Sequence, residues 1–370
     1  MKKGWKVERL GDVIQLEYGK ALPDSQRKSN GKYPVYGANG EKDRTNEFLY
    51  DKPSIIVGRK GSAGEINLTE KKFWALDVSY YVTFDDKKYD LRFLYYLLSN
   101  LELTKLAKGV KPGINRNEVY SIEVNIPPLP EQKRIVAMLD ETFAALAQVH
   151  ANAERNRVNA REVFEGTVRE VFENRGDDWE ENKLQEVCEL KSGTTISTSL
   201  EREEGDVLYV KVSDMNLSEN LIEIQTSSRF VNSEEINHKQ IIPEGAIIFP
   251  KRGGAIATNK KRKIIKPTIV DLNTMAIIPS KKIDKDFLYH WFQLFDLNTI
   301  SNGANVPQIN HYSFDDVCIP YPKSLAEQRL IVSRLDGLAK ETRRLEEVYE
   351  KKMEDVEELR KSVLKEAFQT

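Results

Sequence analysis

The sequence predicts an α+β protein with two related globular halves and two long helices that pair as an antiparallel coiled coil. Three observations support this fold class. Segments 127–174 and 323–370 each contain a long run without proline, with apolar or small residues at spacings of three and four. The second segment matches the first at a constant offset of 196 residues. Before each segment, short β-branched and aromatic runs alternate with Gly, Pro, Asn and Asp, which is typical of strands.

The first long helix begins in a proline-rich stretch. Pro130 fits a first helical turn, because the N–H that proline lacks has no helical partner there. The following run of about 43 residues contains one glycine, Gly166, and corresponds to a helix of roughly 65 Å. We predict that one face of this helix forms a coiled-coil seam through Ile135, Leu139, Leu146 and Val149.

The second long helix repeats this design. Ser324 and Glu327 form a capping-box start, and Phe368 corresponds to Phe172 of the first helix. A helix with one apolar stripe cannot bury that stripe alone, so the two helices are expected to bury each other. The alternative is that each helix packs on its own domain. The predicted second seam contains Ile331, Leu335, Leu338, Leu345, Val356 and Leu359.

The globular halves also repeat. Trp5 and Gly19 are echoed by Trp179 and Gly193, and the FLYYLL run at 93–98 is echoed by FLYHWF. We divide the chain into a first domain (1–126), a first helix (127–174), a second domain (175–318) and a second helix (319–370). Strands are predicted at 33–37, 54–58, 79–84, 207–212, 246–250 and 275–279, and an apolar helix in each domain near 90–100 and 286–296.

Composition narrows the function classes. The chain has 370 residues, enough for two or more domains, and a net charge of −2, so it is not basic throughout. Cys188 and Cys318 give neither a disulfide framework nor metal-ligand spacing, and the histidines show no metal spacing. There is no phosphate-binding glycine loop, no apolar signal region and no membrane-length apolar run. The sequence therefore predicts a cytoplasmic protein without catalytic residues, metal or cofactor of its own.

Local basic segments are the candidate binding sites for nucleic acid. Residues 251–266 contain seven Lys or Arg and no acidic residue, a pattern that can neutralise phosphates. Amide side chains can pair with adenine, and tyrosines near glycines can stack or contact backbone. The alternative is that these loops are merely solvated. The candidate DNA-binding residues are Tyr33, Tyr36, Arg59, Lys60, Gly61, Lys108, Lys111, Asn115, Arg116, Lys251, Arg252, Gly253, Lys260, Lys261, Arg262, Lys263, Gln308 and Asn310.

The whole chain resembles the specificity subunits (HsdS-type) of type I restriction–modification enzymes. The resemblance is strongest in IPPLPEQKRIVAMLD at 126–140, IPYPKSLAEQRLIVSRLD at 319–336, YPVYGANG at 33–40 and IIVGRKGSAG at 55–64. In the stretch that leads into the second long helix, Tyr321 and Lys323-Ser324 interrupt the usual proline-rich pattern.

The resemblance implies a division of labour. Each globular domain would be a target recognition domain that reads one half of a bipartite site in double-stranded DNA. The helical pair would fix the spacer and dock two methyltransferase (modification) subunits, and restriction/translocase subunits would join the complex. S-adenosylmethionine, ATP and Mg would be bound by those partners, and this chain would be non-catalytic.

Two other interpretations remain open at the level of sequence. The chain could be the recognition subunit of a type IIB-like system, in which the partner fuses cleavage and methylation; a neighbouring gene for a separate ATP-dependent motor would distinguish the two. A different class is a coiled-coil scaffold whose domains bind protein. The near-neutral charge suits a scaffold, but the basic loops argue against it.

Overall fold

The computed structural model describes residues 4–303 and 305–369. The chain forms two compact units. The first comprises the chain up to Glu154 together with the chain from Glu350 onward, and the second runs from Arg155 to Tyr349. Each unit therefore contains one globular domain and part of both long helices. None of the helices in the described ranges combines the length and apolar character needed to span a bilayer.

The first globular domain combines short strands with short α-helices. The helices are α1 (Leu10–Val13), α2 (Leu91–Asn100) and α3 (Arg116–Tyr120). The strands are β1 (Lys6–Arg9), β2 (Ile14–Tyr18), β3 (Tyr33–Gly37), β4 (Gly40–Thr45), β5 (Ser54–Gly58), β6 (Ile66–Thr69), β7 (Trp74–Ala75), β8 (Ser79–Phe84) and β9 (Glu123–Ile126).

The first long helix, α4 (Leu129–Glu173), leads to the second domain. That domain contains α5 (Leu184–Val187) and α6 (Lys285–Leu294), and the second long helix, α7 (Leu325–Phe368), follows it. Its strands are β10 (Trp179–Lys183), β11 (Cys188–Ser192), β12 (Val207–Val210), β13 (Glu223–Ile224), β14 (Phe230–Val231), β15 (Ile247–Pro250), β16 (Arg262–Ile264), β17 (Thr268–Val270), β18 (Thr274–Pro279) and β19 (Cys318–Pro322).

The two domains share one sheet frame. An antiparallel sheet of order β2-β8-β5-β6 in the first domain corresponds to β11-β18-β15-β16 in the second, where β13 adds in parallel to β16. Each domain also has a three-stranded sheet with one parallel pair, β3-β7 or β12-β17. A two-stranded sheet, β1-β9 or β10-β19, joins the start of each domain to the strand that precedes its long helix. The repeat in the sequence is thus a repeat of topology.

The long helices run antiparallel, as predicted. In the first unit, Ile135 and Leu139 near the start of α4 share a core with Phe368 at the end of α7, whose ring lies 5.4 Å from that of Phe93. In the second unit, Phe172 at the end of α4 lies 5.2 Å from the ring of Phe287 and shares a core with Leu335 near the start of α7. The helices therefore pack on the domains with their ends as well as pairing with each other.

The predicted seam is wrong at three positions. Val149, Leu345 and Leu359 are 36%, 44% and 50% exposed, whereas Leu146, Ile331 and Leu338 are half-buried. A straight α-helix drifts by about 20° per heptad, so residues seven apart rotate away from a single contact line. Toward the middle of the helices the buried stripe is made of small or branched residues: Ala153, Thr342 and Val356.

A buried glutamine fixes each long helix to its domain. Gln132 is fully buried; its Oε1 accepts a hydrogen bond from the backbone N–H of Asp90 at 2.8 Å, and its Nε2 donates to the carbonyls of Lys88 and Pro127. Asp90 in turn caps the N-terminus of α2. One side chain thus connects the start of α4, the start of α2 and the chain between β9 and α4.

Gln328 repeats these three bonds in the second domain. Its Oε1 accepts from the N–H of Asp284, the cap of α6, at 2.7 Å, and its Nε2 donates to the carbonyls of Lys282 and Pro322. Because every polar atom of these buried amides is used, an apolar replacement leaves three backbone groups without a partner.

Replacing Gln132 or Gln328 with leucine is expected to cost about 2–5 kcal/mol of stability in the unit that contains it, because buried backbone groups lose their hydrogen bonds. Denaturant unfolding monitored by circular dichroism measures the effect. Gln148→Leu, an exposed position on α4, is the matched control. Equal midpoints for Gln132→Leu and the control would show that the buried amide does not hold the junction.

Candidate nucleic-acid interface

Each domain carries a tip in which a basic loop lies beside a hairpin. In the first domain the loop Arg59–Gly61 follows β5 and the hairpin spans residues 108–113. The N–H of Gly61 donates to the Pro112 carbonyl at 2.8 Å, and the N–H of Ile114 donates to the Arg59 carbonyl at 3.1 Å. The backbone of both segments is therefore fixed, and α3 begins directly after them.

The second domain builds the same tip from Lys251–Gly253 after β15 and from Asn302 and Gln308, which pair with each other. The N–H of Gly253 donates to the Pro307 carbonyl at 2.8 Å, and that of Ile309 donates to the Lys251 carbonyl at 2.9 Å. A 3₁₀ helix, His311–Phe314, then takes the place of α3. We call these two regions the first tip and the second tip.

Gly61 and Gly253 occupy corresponding positions with φ of +79° and +72°. This left-handed conformation favours glycine. A Cβ atom at either position would meet no atom within 4 Å, so backbone conformation and not crowding accounts for the glycine. Both tips are open to a ligand at this point.

Of the five cations predicted for the first tip, the three lysines, Lys60, Lys108 and Lys111, are exposed. The Nζ of Lys108 lies 2.8 Å from a carboxylate oxygen of Glu118. Arg59 and Arg116 are held instead by an aromatic ring: their guanidinium carbons lie 4.9 and 5.1 Å from the ring centre of Tyr18.

The second tip presents fewer cations. Arg252 is exposed, whereas Lys251 is half-buried and donates to Ser192 Oγ at 3.0 Å. Burial lowers the pKa of Lys251, and the nearby Arg252 adds to this effect while Asp271 opposes it. The ammonium of Lys251 thus belongs to a local polar cluster, and Arg252 is the more accessible charge.

The predicted phosphate clamp at 260–263 is wrong for its last three residues. Lys261 is 1% exposed and its Nζ donates to Asn259 Oδ1 at 3.0 Å, and Arg262 is 8% exposed and donates to the Met215 carbonyl. Lys263 Nζ forms ion pairs with Glu223 Oε1 and Asp286 Oδ1, each at 3.0 Å. Lys260, which is half-buried, donates to Asn216 Oδ1. Lys260 and Lys261 directly precede β16, and Arg262 and Lys263 belong to it. Because β16 is a strand of the domain's sheet, the side chains around it pack against the domain.

The predicted base-reading amides are partly occupied. The Asn115 side chain accepts from the N–H of Asn117 and caps α3, and Asn310 Nδ2 donates to the hydroxyl of Tyr312 at 2.9 Å. Each of these two amides therefore already makes a hydrogen bond within its own loop in this conformation. Gln308 is half-buried, and its backbone pairs with Asn302 across the hairpin. A base contact from any of the three stays a prediction.

The predicted tyrosines lie on β3. Tyr33 packs edge-on against Phe48 with ring centres 5.4 Å apart, and Tyr36 packs against Phe73 at 6.1 Å. Both rings are half-buried. Their apolar contacts account for the aromatic character, and a stacking role on DNA stays a prediction.

Sequence reasoning missed three residues at the tips: Tyr18, Ser192 and His311. Tyr18 ends β2 and Ser192 ends β11, so they occupy equivalent positions. His311 corresponds to Arg116, since each directly follows an asparagine that starts a helix. The similarity between the two halves contained this signal, but a tyrosine and a serine carry no charge and so escaped a search for basic residues. No group of three or more His, Cys, Asp or Glu within residues 4–303 and 305–369 could hold a metal ion.

The duplicated fold agrees with a duplicated family match. The family model described as "Type I restriction modification DNA specificity domain" matches residues 2–159 and again residues 176–354. Two copies of this one domain thus account for most of the chain. The chain belongs to the type I restriction modification DNA specificity family.

Curated relatives match over nearly the full length. The specificity subunit of the type I restriction enzyme MjaVIII from Methanocaldococcus jannaschii is 26% identical over 401 residues, which covers 97% of this chain and 91% of that protein. The EcoDI specificity subunit from Escherichia coli is 23% identical over 399 residues, covering 98% and 88%.

Solved structures share the fold. A chain from "Structural basis underlying complex assembly and conformational transition of the type I R-M system" superposes with a TM-score of 0.79 at 17% identity, covering all of this chain and 98% of that chain. The HsdS subunit from Thermoanaerobacter tengcongensis gives a TM-score of 0.61 at 18% identity, covering all of this chain and 97% of that subunit.

The burial of Lys261 has a measurable consequence. Burial lowers the pKa of its ammonium to about 7, against the ordinary 10.5, and Asp296 only partly opposes this. Between these values the Lys261 side chain binds a proton in the unfolded chain but not in the folded chain, so this residue contributes a rise in stability with pH from about 7 to about 10. Lys261→Met should remove this rise, as measured by thermal midpoints across that range. Lys266→Met, at an exposed lysine, is the control. If the thermal midpoint of Lys261→Met changed with pH as that of the wild type does, the lowered pKa of Lys261 would be contradicted.

Proposed function

We propose that this chain is the DNA-recognition subunit of a type I restriction–modification complex, in which each globular domain reads one half of a bipartite site. The observation that supports this best is the pair of tips: two copies of one backbone arrangement, each presenting cations beside a positive-φ glycine. Exposed cations contact phosphates and fix position, whereas sequence is read by side chains that reach base edges.

The two tips share a backbone but not their side chains. Arg59, Lys60 and Arg116 stand in the first where Lys251, Arg252 and His311 stand in the second. One scaffold with two sets of side chains would read two different sequences in the same way. We therefore propose an asymmetric site with two unlike half-sites.

The helices α4 and α7 would set the distance between the half-sites. At 1.5 Å per residue, 45 residues of α4 correspond to about 67 Å, or about two turns of B-DNA. Exposed apolar residues remain on these helices, such as Met138, Val149 and Leu359. They are candidates for contact with two methyltransferase subunits, and restriction/translocase subunits would complete the complex.

Chemistry would reside in the partners. We propose that this chain is non-catalytic and that S-adenosylmethionine, ATP and Mg²⁺ are bound by the modification and restriction subunits. A type IIB-like partner set would use the same recognition surface. A protein-binding scaffold is less well supported, because it gives no reason for two equivalent basic tips. A cytoplasmic location stays a prediction.

The direct test is to sequence the methylome of cells that express an active cognate methyltransferase with and without this chain. We expect one bipartite methylated motif with two unlike halves, present only when the chain is expressed. A second specificity subunit that assembles with the same methyltransferase, expressed in the same strain, verifies that the methyltransferase is active. Absence of a motif that depends on this chain would refute the proposal and redirect attention to protein partners.

Lengthening both helices should change the spacer alone. Duplicating residues 148–154 and 343–349 adds seven residues to each helix, about 10.5 Å or three base pairs, and nearly preserves the helical face. The methylated motif should keep both half-sites and gain about three unread base pairs. Duplicating 148–154 alone is the control and should impair assembly, since it shifts one helix against the other. An unchanged spacer in the double insertion would contradict a measuring role for the helices.

A further inference from the structure

The first tip contains a rigid pair of arginines built around Tyr18. The Tyr18 ring is 45% exposed and lies 5.1 Å from the buried ring of Tyr80, which fixes its position. The guanidinium carbon of Arg59 lies 4.9 Å from the centre of the Tyr18 ring, and that of Arg116 lies 5.1 Å from the same centre. Arg59 Nη1 also donates to the carbonyl of Asp77 at 2.9 Å.

The fixed guanidinium groups differ from the other cations of the tip. Lys60 and Lys111 are exposed single charges on flexible stems, which suits contact with phosphate. A guanidinium presents a planar fork of donors, and holding it on an aromatic face reduces the freedom that binding must remove. Within the described part of the chain, the Arg116 guanidinium has neither a hydrogen-bond acceptor nor an ion-pair partner, so its fork remains available.

The equivalent positions of the second tip hold a different chemistry. Ser192 and Lys251 replace Tyr18 and Arg59, as the strand ends and the shared hairpin bonds establish. His311 replaces Arg116, since each follows the asparagine that precedes a helix. The Lys251 ammonium donates to Ser192 Oγ at 3.0 Å, and His311 Nε2 lies 3.2 Å from the same oxygen. This cluster offers a hydroxyl and an imidazole, each of which can donate or accept, and no guanidinium fork.

From this contrast we propose that Arg59 and Arg116 read guanine in the first half-site, with Tyr18 as the residue that positions both. Arginine paired with O6 and N7 of guanine in the major groove is the commonest specific contact between protein and DNA. The Ser192–Lys251–His311 cluster reads the corresponding place in the second half-site with a different base preference. The inference rests on the proposed function and assigns the specificity-determining positions of that function.

The test is the methylated motif conferred by single variants expressed with the cognate methyltransferase. Arg59→Lys and Arg116→Lys keep the charge and remove the fork, so each should reduce discrimination for a guanine in one half-site by about 5- to 150-fold and leave the other half-site unchanged. Tyr18→Ser should relax the same half-site, and Tyr18→Phe, which keeps the ring, should retain the motif. Ser192→Ala and His311→Ala should alter only the opposite half-site.

Lys60→Ala is the matched control for a phosphate contact. It should weaken binding to all sequences about equally and lower the salt dependence, with no change of motif. Thermal midpoints of all variants check that each still folds. Arg116→Lys is the decisive variant, because the Arg116 guanidinium packs on Tyr18 without a hydrogen bond to the described residues that the substitution would break.

Three results would overturn the inference. A wild-type motif without guanine in either half-site would exclude it while leaving the proposed function intact. Arginine variants that keep the motif and weaken binding to all DNA sequences equally would show that the two arginines contact phosphates. A wild-type chain that confers no motif at all would remove the proposed function and this inference together.

Discussion

The structure depends on the two buried glutamines that join helix to domain. Gln132 and Gln328 each satisfy one backbone N–H and two carbonyls where three segments meet, and each acts on the aspartate that caps the domain's main helix. A hydrogen-bonded joint of this kind fixes direction as well as contact. Apolar packing alone would allow the long helix to roll on the domain, because apolar contacts are not directional.

Around this joint the two halves share their backbone arrangement but differ in the side chains placed on it. Tyr96 donates to Asp140 in the first half, and His290 meets Asp336 at the corresponding place in the second. The tips follow the same rule: the backbone bonds from Gly61 and Gly253 are alike, while the side chains around them differ. Duplication of a rigid frame therefore supplies two surfaces that can diverge separately.

The sequence predicted what local periodicity determines. Both long helices, the antiparallel pairing and several strands, among them Tyr33–Gly37 and Ser54–Gly58, followed from spacing and offset. The basic run at 260–263 misled because charge alone does not reveal burial: Lys263 is paired with Glu223 and Asp286, which are distant in sequence. Tyr18 was missed because its importance comes from two arginines that the fold brings together from 59 and 116.

The core of the first domain is completed by the far end of the chain. Ala367 and Phe368 are buried with Phe93, although about 270 residues separate them. A nascent chain cannot finish its first domain until the last helix has been made. For the same reason, a first domain exchanged between relatives by recombination must still fit the last residues of α7. The gene encodes those residues far from the rest of the domain.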